Sequence, residues 1–287
     1  MARQPAVTSS FSIGPLSQEE YDRFSEAIYR LARINLGPHK KELVTARLSK
    51  RLRALGMTRF SDYYNFITSK AGSEELTNFV DAISTNHTFF FREVLHFEFM
   101  ASQVVPEHIK HHGRRPLRVW SAACSSGEEP YSIAITLAET LPMGSHENFE
   151  VIATDISTKV LNKAKEGIYP ASRLQSMPLE VIKRYFTPSR GRDEEPHFQA
   201  RPQLRQRIQF QHLNLFSNYP WREPFDMVFL RNVMIYFDRD TQVDLIQRIL
   251  PWIRPGGYLI TGQSESLGHS VQALKVLRPS IHQKTHG

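Results

Sequence analysis

Between about Leu16 and Ser84 the apolar positions recur at helical spacing, and no run in that span alternates as a strand would. Ser17 with Glu20 makes a capping box, after which Tyr21, Phe24, Ile28 and Leu31 fall on one helical face. Leu43, Leu48, Leu52 and Leu55 mark a second helix, stopped by Gly56. FSDYYNFI and SEELTNFVDAI predict two more. From about Leu117 the rhythm changes to short β-rich runs separated by helical stretches: LRVWSA, FEVIATD, RIQFQHL, FDMVFLRN, GYLITGQS and ALKVLRPS. Alternation of this kind predicts an α/β fold, doubly wound around a mostly parallel sheet with both faces covered. The stretch TPSRGRDEEPHFQARPQLRQ, residues 187–206, is polar and proline-bearing and reads as a surface excursion. No internal repeat or low-complexity tract interrupts the chain.

Composition narrows the class. A chain of 287 residues, 40% hydrophobic and 23% charged, can bury the core of one large domain or two. The most apolar stretch, FDMVFLRNVMIYF, contains Asp226 and Arg231 and is too short for a membrane span. MARQPAVTSSF lacks the apolar core of a signal peptide, and Cys124 is the single cysteine. No internal disulfide or cysteine-based zinc cage is possible, and a cytoplasmic protein is expected. The histidines show no H-E-x-x-H or other metal spacing, and His111 and His112 read as a solvated linker. A net charge of +7 with pI near 9.5 points to an anionic partner: nucleic acid, a membrane surface or an acidic protein.

The candidate chemistry begins at WSAACSSGEEPYSIA, residues 120–134. It reads as a strand end, a loop of small residues and a helix start, at the edge where open α/β sheets bind ligands. Neither GxxxxGK[ST] nor GxGxxG is present, and Glu128 would repel a pyrophosphate. A carboxylate there suits hydroxyls or positive charge, although Glu128 and Glu129 would also simply favour the helix dipole. FEVIATD ends in Asp155, placed to accept hydrogen bonds from ribose hydroxyls or else to cap the helix starting near Ser157. A small-residue loop, no phosphate-binding group and a strand-two acid fit S-adenosylmethionine (SAM). The fourth strand runs into RNVMIYFD rather than the [DNS]PP[YFW] of amino-methylating enzymes, and Cys124 reads as a small loop residue. The acceptor should therefore need little activation, as an ionised glutamate does at neutral pH.

Taken together, TNHTFFFRE (85–93), WSAACSSGEEPYSIA, ATDIS (153–157), FLRNVMIYFD (229–238) and PGGYLITGQSESL (255–267) resemble the chemotaxis receptor methyltransferases, the CheR family, over about residues 16–280. The resemblance implies methyl transfer from SAM to glutamate side chains of chemoreceptor cytoplasmic domains, giving glutamate methyl esters and S-adenosylhomocysteine. It also implies a helical N-terminal domain (10–85) for receptor docking, an interdomain segment (86–116) that contributes to the active site, and a Rossmann-like SAM domain (117–287). A small antiparallel β-subdomain is expected at about 170–212.

Carried over residue by residue, the resemblance assigns Asn86, Thr88 and Arg92 to the amino-acid end of SAM, with Arg92 near the transferred methyl. Glu128 and Asp155 become cofactor contacts, and Asn214 and Leu215 flank the adenine. Arg231 and Asn232 join the cofactor set, and Tyr236 orients the substrate carboxylate. Each also has an ordinary reading: TNHTFFFRE as core or linker packing, Asn214 as a turn residue and Tyr236 as a packed ring. Residues 40–53, KKELVTARLSKRLR, hold six Lys or Arg and one Glu, a local balance of +5. That run reads either as a solvated face or, by the resemblance, as a docking helix, with Arg47, Lys50 and Arg51 as the partner-binding residues. Some members bind a receptor C-terminal pentapeptide through the β-subdomain; SRGRDEEP offers Arg190, Gly191 and Arg192, followed by three acids, and tethering stays open. Two rivals remain: a SAM-dependent RNA methyltransferase, which would need an aromatic-interleaved basic surface, and a non-catalytic SAM-binding scaffold.

Overall fold

The computed structural model describes residues 12–113, 115–142, 148–191, 194–267 and 271–285, and the amino-terminal stretch read for a signal peptide falls outside them. The chain divides into two compact units, the second beginning at Thr85.

The first unit is helical. Helix α1 (Gln18–Ala32) starts at the expected capping box, with the Ser17 hydroxyl accepting from the Glu20 amide and the Glu20 carboxylate accepting from the Ser17 amide. Helices α2 (Lys41–Leu55), α3 (Phe60–Ile67) and α4 (Ser73–Ile83) follow, and Gly56 ends α2 in the left-handed conformation. Phe24 is the centre of the core, with the rings of Phe60, Tyr63, Tyr64 and Phe79 at 5.4–6.4 Å from its own. One expected core position is corrected. Leu43 is exposed, and Val44, Leu48 and Leu52 form the buried stripe of α2. Starting the stripe at Val44 gives a 4-4 spacing, which turns Leu43 to solvent.

The basic residues of α2 do not form one uniform face. Arg51 makes a two-pronged pair with Glu75 of α4 at 2.8 and 2.7 Å. Glu75 also accepts from the Tyr63 hydroxyl (3.0 Å) and Asn78 (2.9 Å), so the acid is saturated inside the domain. Arg47 donates to the carbonyls of Ile83 and Ser84, satisfying the C-terminus of α4. Both arginines, expected at a partner surface, have their guanidiniums committed within their own domain. Lys50 and Arg53 are the exposed cations on this helix.

In the second unit, α5 (Leu95–Phe99), a π turn (Met100–Val104) and α6 (Val105–His112) form one continuous helical stretch, with His111 and His112 exposed at its end. The stretch enters the core: Phe97 stacks on Phe229 at 5.9 Å and Phe99 meets Tyr258 edge-on at 5.3 Å. The α/β part contains β1 (Leu117–Ala122), α7 (Glu128–Thr140), β2 (Phe149–Asp155), α8 (Thr158–Glu166), β3 (Ile168–Pro170), α9 (Ala171–Leu174), α10 (Leu179–Tyr185), β4 (Phe186–Ser189), β5 (His197–Ala200), α11 (Pro202–Arg205), β6 (Ile208–His212), β7 (Phe225–Leu230), α12 (Arg239–Ile249), β8 (Ile253–Thr261), β9 (Leu274–Arg278) and β10 (Ile281–Lys284).

Seven of these strands form one sheet in the order β6-β2-β1-β7-β8-β10-β9, parallel from β6 to β8 and closed by the antiparallel β10 and β9. Strand order reverses between β1 and β7, so the expected doubly wound sheet is present. Its central strands are buried on both faces, which is why LRVWSA and FDMVFL read as nearly continuous apolar runs. The acid within FDMVFL is satisfied at the far end of the sheet, where Asp226 accepts from the Arg118 amide (2.8 Å) and from both terminal nitrogens of Arg115.

A second, antiparallel sheet in the order β3-β5-β4 accounts for the expected β-subdomain and converts much of the 187–206 excursion into strand. It spans Ile168 to Ala200. Strand β6, which the expected range of 170–212 includes, belongs to the large sheet.

The Glu75 cluster generates a test of the helical unit. Burial alone would raise the Glu75 carboxyl, but bonds from Arg51, Asn78 and Tyr63 outweigh it and hold it below the usual carboxylate range. Removing one partner of such a pair strands the other, so Glu75→Ala should cost about 3 kcal/mol in urea unfolding. A lowered folded-state value stabilises above the unfolded value, near 4.3, and that stability is lost as pH falls through the folded value. The gap between parent and Glu75→Gln should therefore close as pH is taken from about 6 to about 3. A gap independent of pH would contradict the assignment.

Candidate functional site

The carboxyl edge of the large sheet gathers the loops after β1, β2, β6, β7 and β8. The β1 loop turns sharply, with Ala123 at φ 67°, Ser125 at φ 51° and Gly127 at φ 99°. It leaves β1 to lie on β2: the Cys124 amide donates to the Thr154 carbonyl (2.9 Å) and the Ser125 amide to Asp155 Oδ2 (2.8 Å). Asp155 Oδ1 accepts from the Ser157 amide at 2.9 Å. The helix cap itself is Ser157, whose hydroxyl accepts from the Val160 amide, so Asp155 is not the cap of α8. It is the clasp between two loops, with its side chain facing the small-residue turn.

Glu128 and Glu129 open α7 and are both held inside. Glu128 is 1% exposed and accepts from the Ser126 hydroxyl at 2.7 Å. Burial raises its carboxyl above the usual range, while Ser126 and Arg173 act in the opposite direction. Glu129 is likewise raised by burial, with Arg231 opposing; it accepts from the Ser121 hydroxyl at 2.6 Å. A cation arriving at this edge relieves the desolvated acids, whereas a phosphate would add to their repulsion.

Segment 86–93 runs along the same edge. The Ser125 hydroxyl donates to the Asn86 carbonyl (3.0 Å), and Thr88 is buried. Arg92 is half-buried, donating to the His87 carbonyl at 3.1 Å with its guanidinium 5.6 Å from the Phe89 ring centre. The Phe91 amide donates to Ser132 of α7 at 2.9 Å, and Phe90 is packed among Tyr169 and Phe186. Phe90 and Phe91 thus anchor the segment while Phe89 is exposed.

After β7, Arg231 and Asn232 enter the turn that ends in the 3-10 segment Met234–Tyr236. The Arg231 side chain is 1% exposed and bridges Glu93 (3.3 Å) and Glu129 (3.2 Å) while donating to the Arg92 carbonyl. Its guanidinium is spent on two protein acids and a main-chain carbonyl. Asn232, at φ 58°, donates from its side chain to Glu93 at 3.3 Å. Next to this network His96 bonds Ser280 at 2.7 Å, and burial together with the Arg231 charge lowers it to about 4. After β6, Asn214 Oδ1 accepts from the Phe216 amide (3.0 Å) in a tight turn, with Leu215 buried beside it. Tyr236 is half-buried at the end of its 3-10 turn.

The residues expected around the cofactor and the transferred methyl thus fall in the segment and loops of this edge, whereas Arg47, Lys50 and Arg51 belong to the helical unit. One residue was missed: Glu265, 6% exposed, accepts from the amides of Asn232 (2.7 Å), Met234 (2.8 Å), Ile235 (3.3 Å) and Gly262 (2.7 Å). It sets the course of the β7 turn. A Cβ at Gly262 would lie 2.6 Å from Asn232 Nδ2 and 2.7 Å from Glu265 Oε2, so a side chain there would push both groups out of place. The residue lay within a motif already quoted, yet an acid beyond a strand end carries no signal of which amides it will meet.

Among the described residues no group of His, Cys, Asp and Glu is arranged to hold a metal, and no helix is long and apolar enough to cross a membrane. Cys124 is buried, and burial, followed by the charges of Asp155 and Glu129, pushes its thiol well up, away from nucleophilic use. The edge therefore offers acids, backbone groups and small residues. They fit a donor that carries hydroxyls and positive charge, as SAM does.

Comparison with known proteins agrees. Residues 19–84 match the all-alpha domain of CheR methyltransferases, and residues 86–281 match their SAM binding domain. The chain is 37% identical to a chemotaxis protein methyltransferase of Borreliella burgdorferi over 275 residues, covering 94% of this chain and 95% of the relative. It is 40% identical to one of Salmonella typhimurium over 268 residues (93% and 90%) and 43% identical to one of Klebsiella aerogenes over 258 residues (88% and 84%). Two domain matches that together span most of the sequence, with relatives of this identity along their own length, lead to one conclusion: the chain belongs to the CheR family of SAM-dependent methyltransferases.

Proposed function

We propose that the protein transfers the methyl group of SAM to glutamate side-chain carboxylates in the cytoplasmic helical domain of chemoreceptors, and that it works in the cytoplasm. The observation that carries this reading is the carboxyl edge itself: Asp155 at the second strand and desolvated acids at the start of α7, on a chain of this family. The bond from the donor sulfur to the methyl carbon breaks as a bond from a glutamate oxygen to that carbon forms. The products are a methyl ester and S-adenosylhomocysteine. An ionised glutamate needs no base, so the task is alignment in one line.

In this reading Asp155 accepts from the ribose hydroxyls. Asn86, Thr88 and Glu128 hold the amino-acid end, and Asn214 and Leu215 border the adenine. Arg92 lies by the methyl, and Tyr236 orients the incoming carboxylate. Arg231 and Asn232 act by fixing the turn that Glu265 organises. Docking falls to the exposed cations of α2, Lys50 and Arg53, because Arg47 and Arg51 hold the helical unit together. Of the loop considered for pentapeptide capture, Arg192 and Asp193 lie outside the described residues. Receptor fragments with and without their C-terminal pentapeptide read that tethering role directly.

Incubation with methyl-labelled SAM and a receptor cytoplasmic fragment tests the activity. Base-labile label on the receptor is expected. Label on RNA in place of receptor, or none on either, would contradict it.

Two variants separate pocket from docking. Asp155→Ala should weaken binding of SAM by roughly 10- to 150-fold, the loss for a hydrogen bond to a charged group. Calorimetry with a folded variant checks it, and parent-like affinity would refute the ribose role. Reversing Lys50 and Arg53 to glutamate takes the local balance of residues 40–53 from +5 to +1. SAM affinity should stay constant while the receptor KM rises about three- to tenfold, a difference that salt diminishes because exposed charges are screened beyond about 10 Å at 0.1 M. An unchanged KM at low salt would make this a solvated face only.

A further inference from the structure

The small sheet touches the loops of the carboxyl edge at several points. The Tyr169 hydroxyl donates to the Ser126 carbonyl at 2.7 Å. A Cβ on Gly127 would lie 2.7 Å from that same hydroxyl and 2.9 Å from the Cβ of Ala164 on α8, so the small sheet is one of two neighbours that close on this left-handed glycine. The Ser176 hydroxyl donates to the Phe90 carbonyl at 3.3 Å, and the Phe90 ring is edge-on to Tyr169 at 4.9 Å and Phe186 at 5.8 Å. Directly after β3 comes Arg173 on α9. Its Nη1 donates to the Thr88 carbonyl at 2.7 Å and lies 3.8 Å from Oε1 of the buried Glu128.

That placement is unusual for a side chain 45% exposed. An arginine pairing with acids at the surface gains little and samples many rotamers. Here the guanidinium bridges a main-chain carbonyl and a desolvated carboxylate that belong to two different loops. Each of those loops contributes to the donor pocket as read above, Thr88 from the segment before β1 and Glu128 from the first turn of α7.

We propose that Arg173 is a positioning residue for the methyl donor: it latches segment 86–88 onto the start of α7, making the small sheet one wall of the SAM pocket. The latch rests on the proposed pocket. It gives the β-subdomain a role in donor binding that is separate from any peptide capture on its strands. Both contacts are made by the one terminal nitrogen Nη1, at the end of a side chain longer than lysine's, so Lys substitution keeps the charge but restores only part of the effect.

Calorimetric titration of the full chain with S-adenosylhomocysteine tests it, with apo melting temperature as the second readout. Arg173→Ala should raise Kd about tenfold, the consequence of losing one charge-assisted bond, with Arg173→Lys in between. The apo melting temperature should stay close to the parent value, because the side chain is partly exposed and its contact with Glu128 is a 3.8 Å ion pair, not a hydrogen bond. Amide exchange at residues 86–90 should quicken in Arg173→Ala. A Kd within twofold of parent, measured beside a weakly binding Asp155→Ala, overturns the latch and leaves the pocket standing. Parent-like Kd in both variants overturns the pocket reading and the latch with it. A weaker Kd that comes with a matching fall in apo melting temperature marks Arg173 as a residue of the fold and also overturns the proposal.

Discussion

Buried carboxylates that accept backbone amides hold the carboxyl edge of the sheet together. Asp155 takes the amides of Ser125 and Ser157, and Glu265 takes those of Asn232, Met234, Ile235 and Gly262. A loop crossing a sheet edge has no ladder to satisfy its amides, and an unmet buried amide costs about as much as a lost hydrogen bond. Carboxylates solve this with several acceptor sites each, and they leave the edge acidic. The same solution fixes the ligand class. An edge walled by acids suits sulfonium, ammonium and hydroxyl groups better than phosphates. Arg231 is the counterpart, a buried cation that keeps Glu93 and Glu129 from repelling each other.

Charge counting and charge placement give different pictures of α2. The +5 balance of residues 40–53 reads as one docking stripe, yet a side chain's partner decides what its charge does. Arg51 meets Glu75 and Arg47 meets the end of α4, so two cations of the run serve the helical core. The cations left exposed on α2 are Lys50 and Arg53, and long-range attraction from such charges governs encounter more than final affinity.

Much of this architecture was legible in the sequence because local signals and the global fold agree. The capping box at Ser17, the αL glycine at the end of α2 and the runs LRVWSA and FEVIATD each coincide with the elements observed. Strand β10 was missed because four residues, IHQK, leave no room for a period. Strands β4 and β5 were hidden in polar sequence because their small sheet is only partly buried. At the site, the residue types were readable and their partners were not. Asp155 follows from its position at the end of a strand and Glu128 from its position at the start of a helix. Glu265 and Arg173 meet main-chain groups, and a main-chain partner has no letter in the sequence.

The central claim is that this acid-held edge is the donor pocket. A crystal structure of the protein with S-adenosylhomocysteine tests it most directly. The account predicts ribose hydroxyls within hydrogen-bonding distance of Asp155, the amino-acid end between segment 86–88 and the first turn of α7, and the adenine beside Leu215. A ligand bound elsewhere, or one at this edge with its ribose turned away from Asp155, would contradict it.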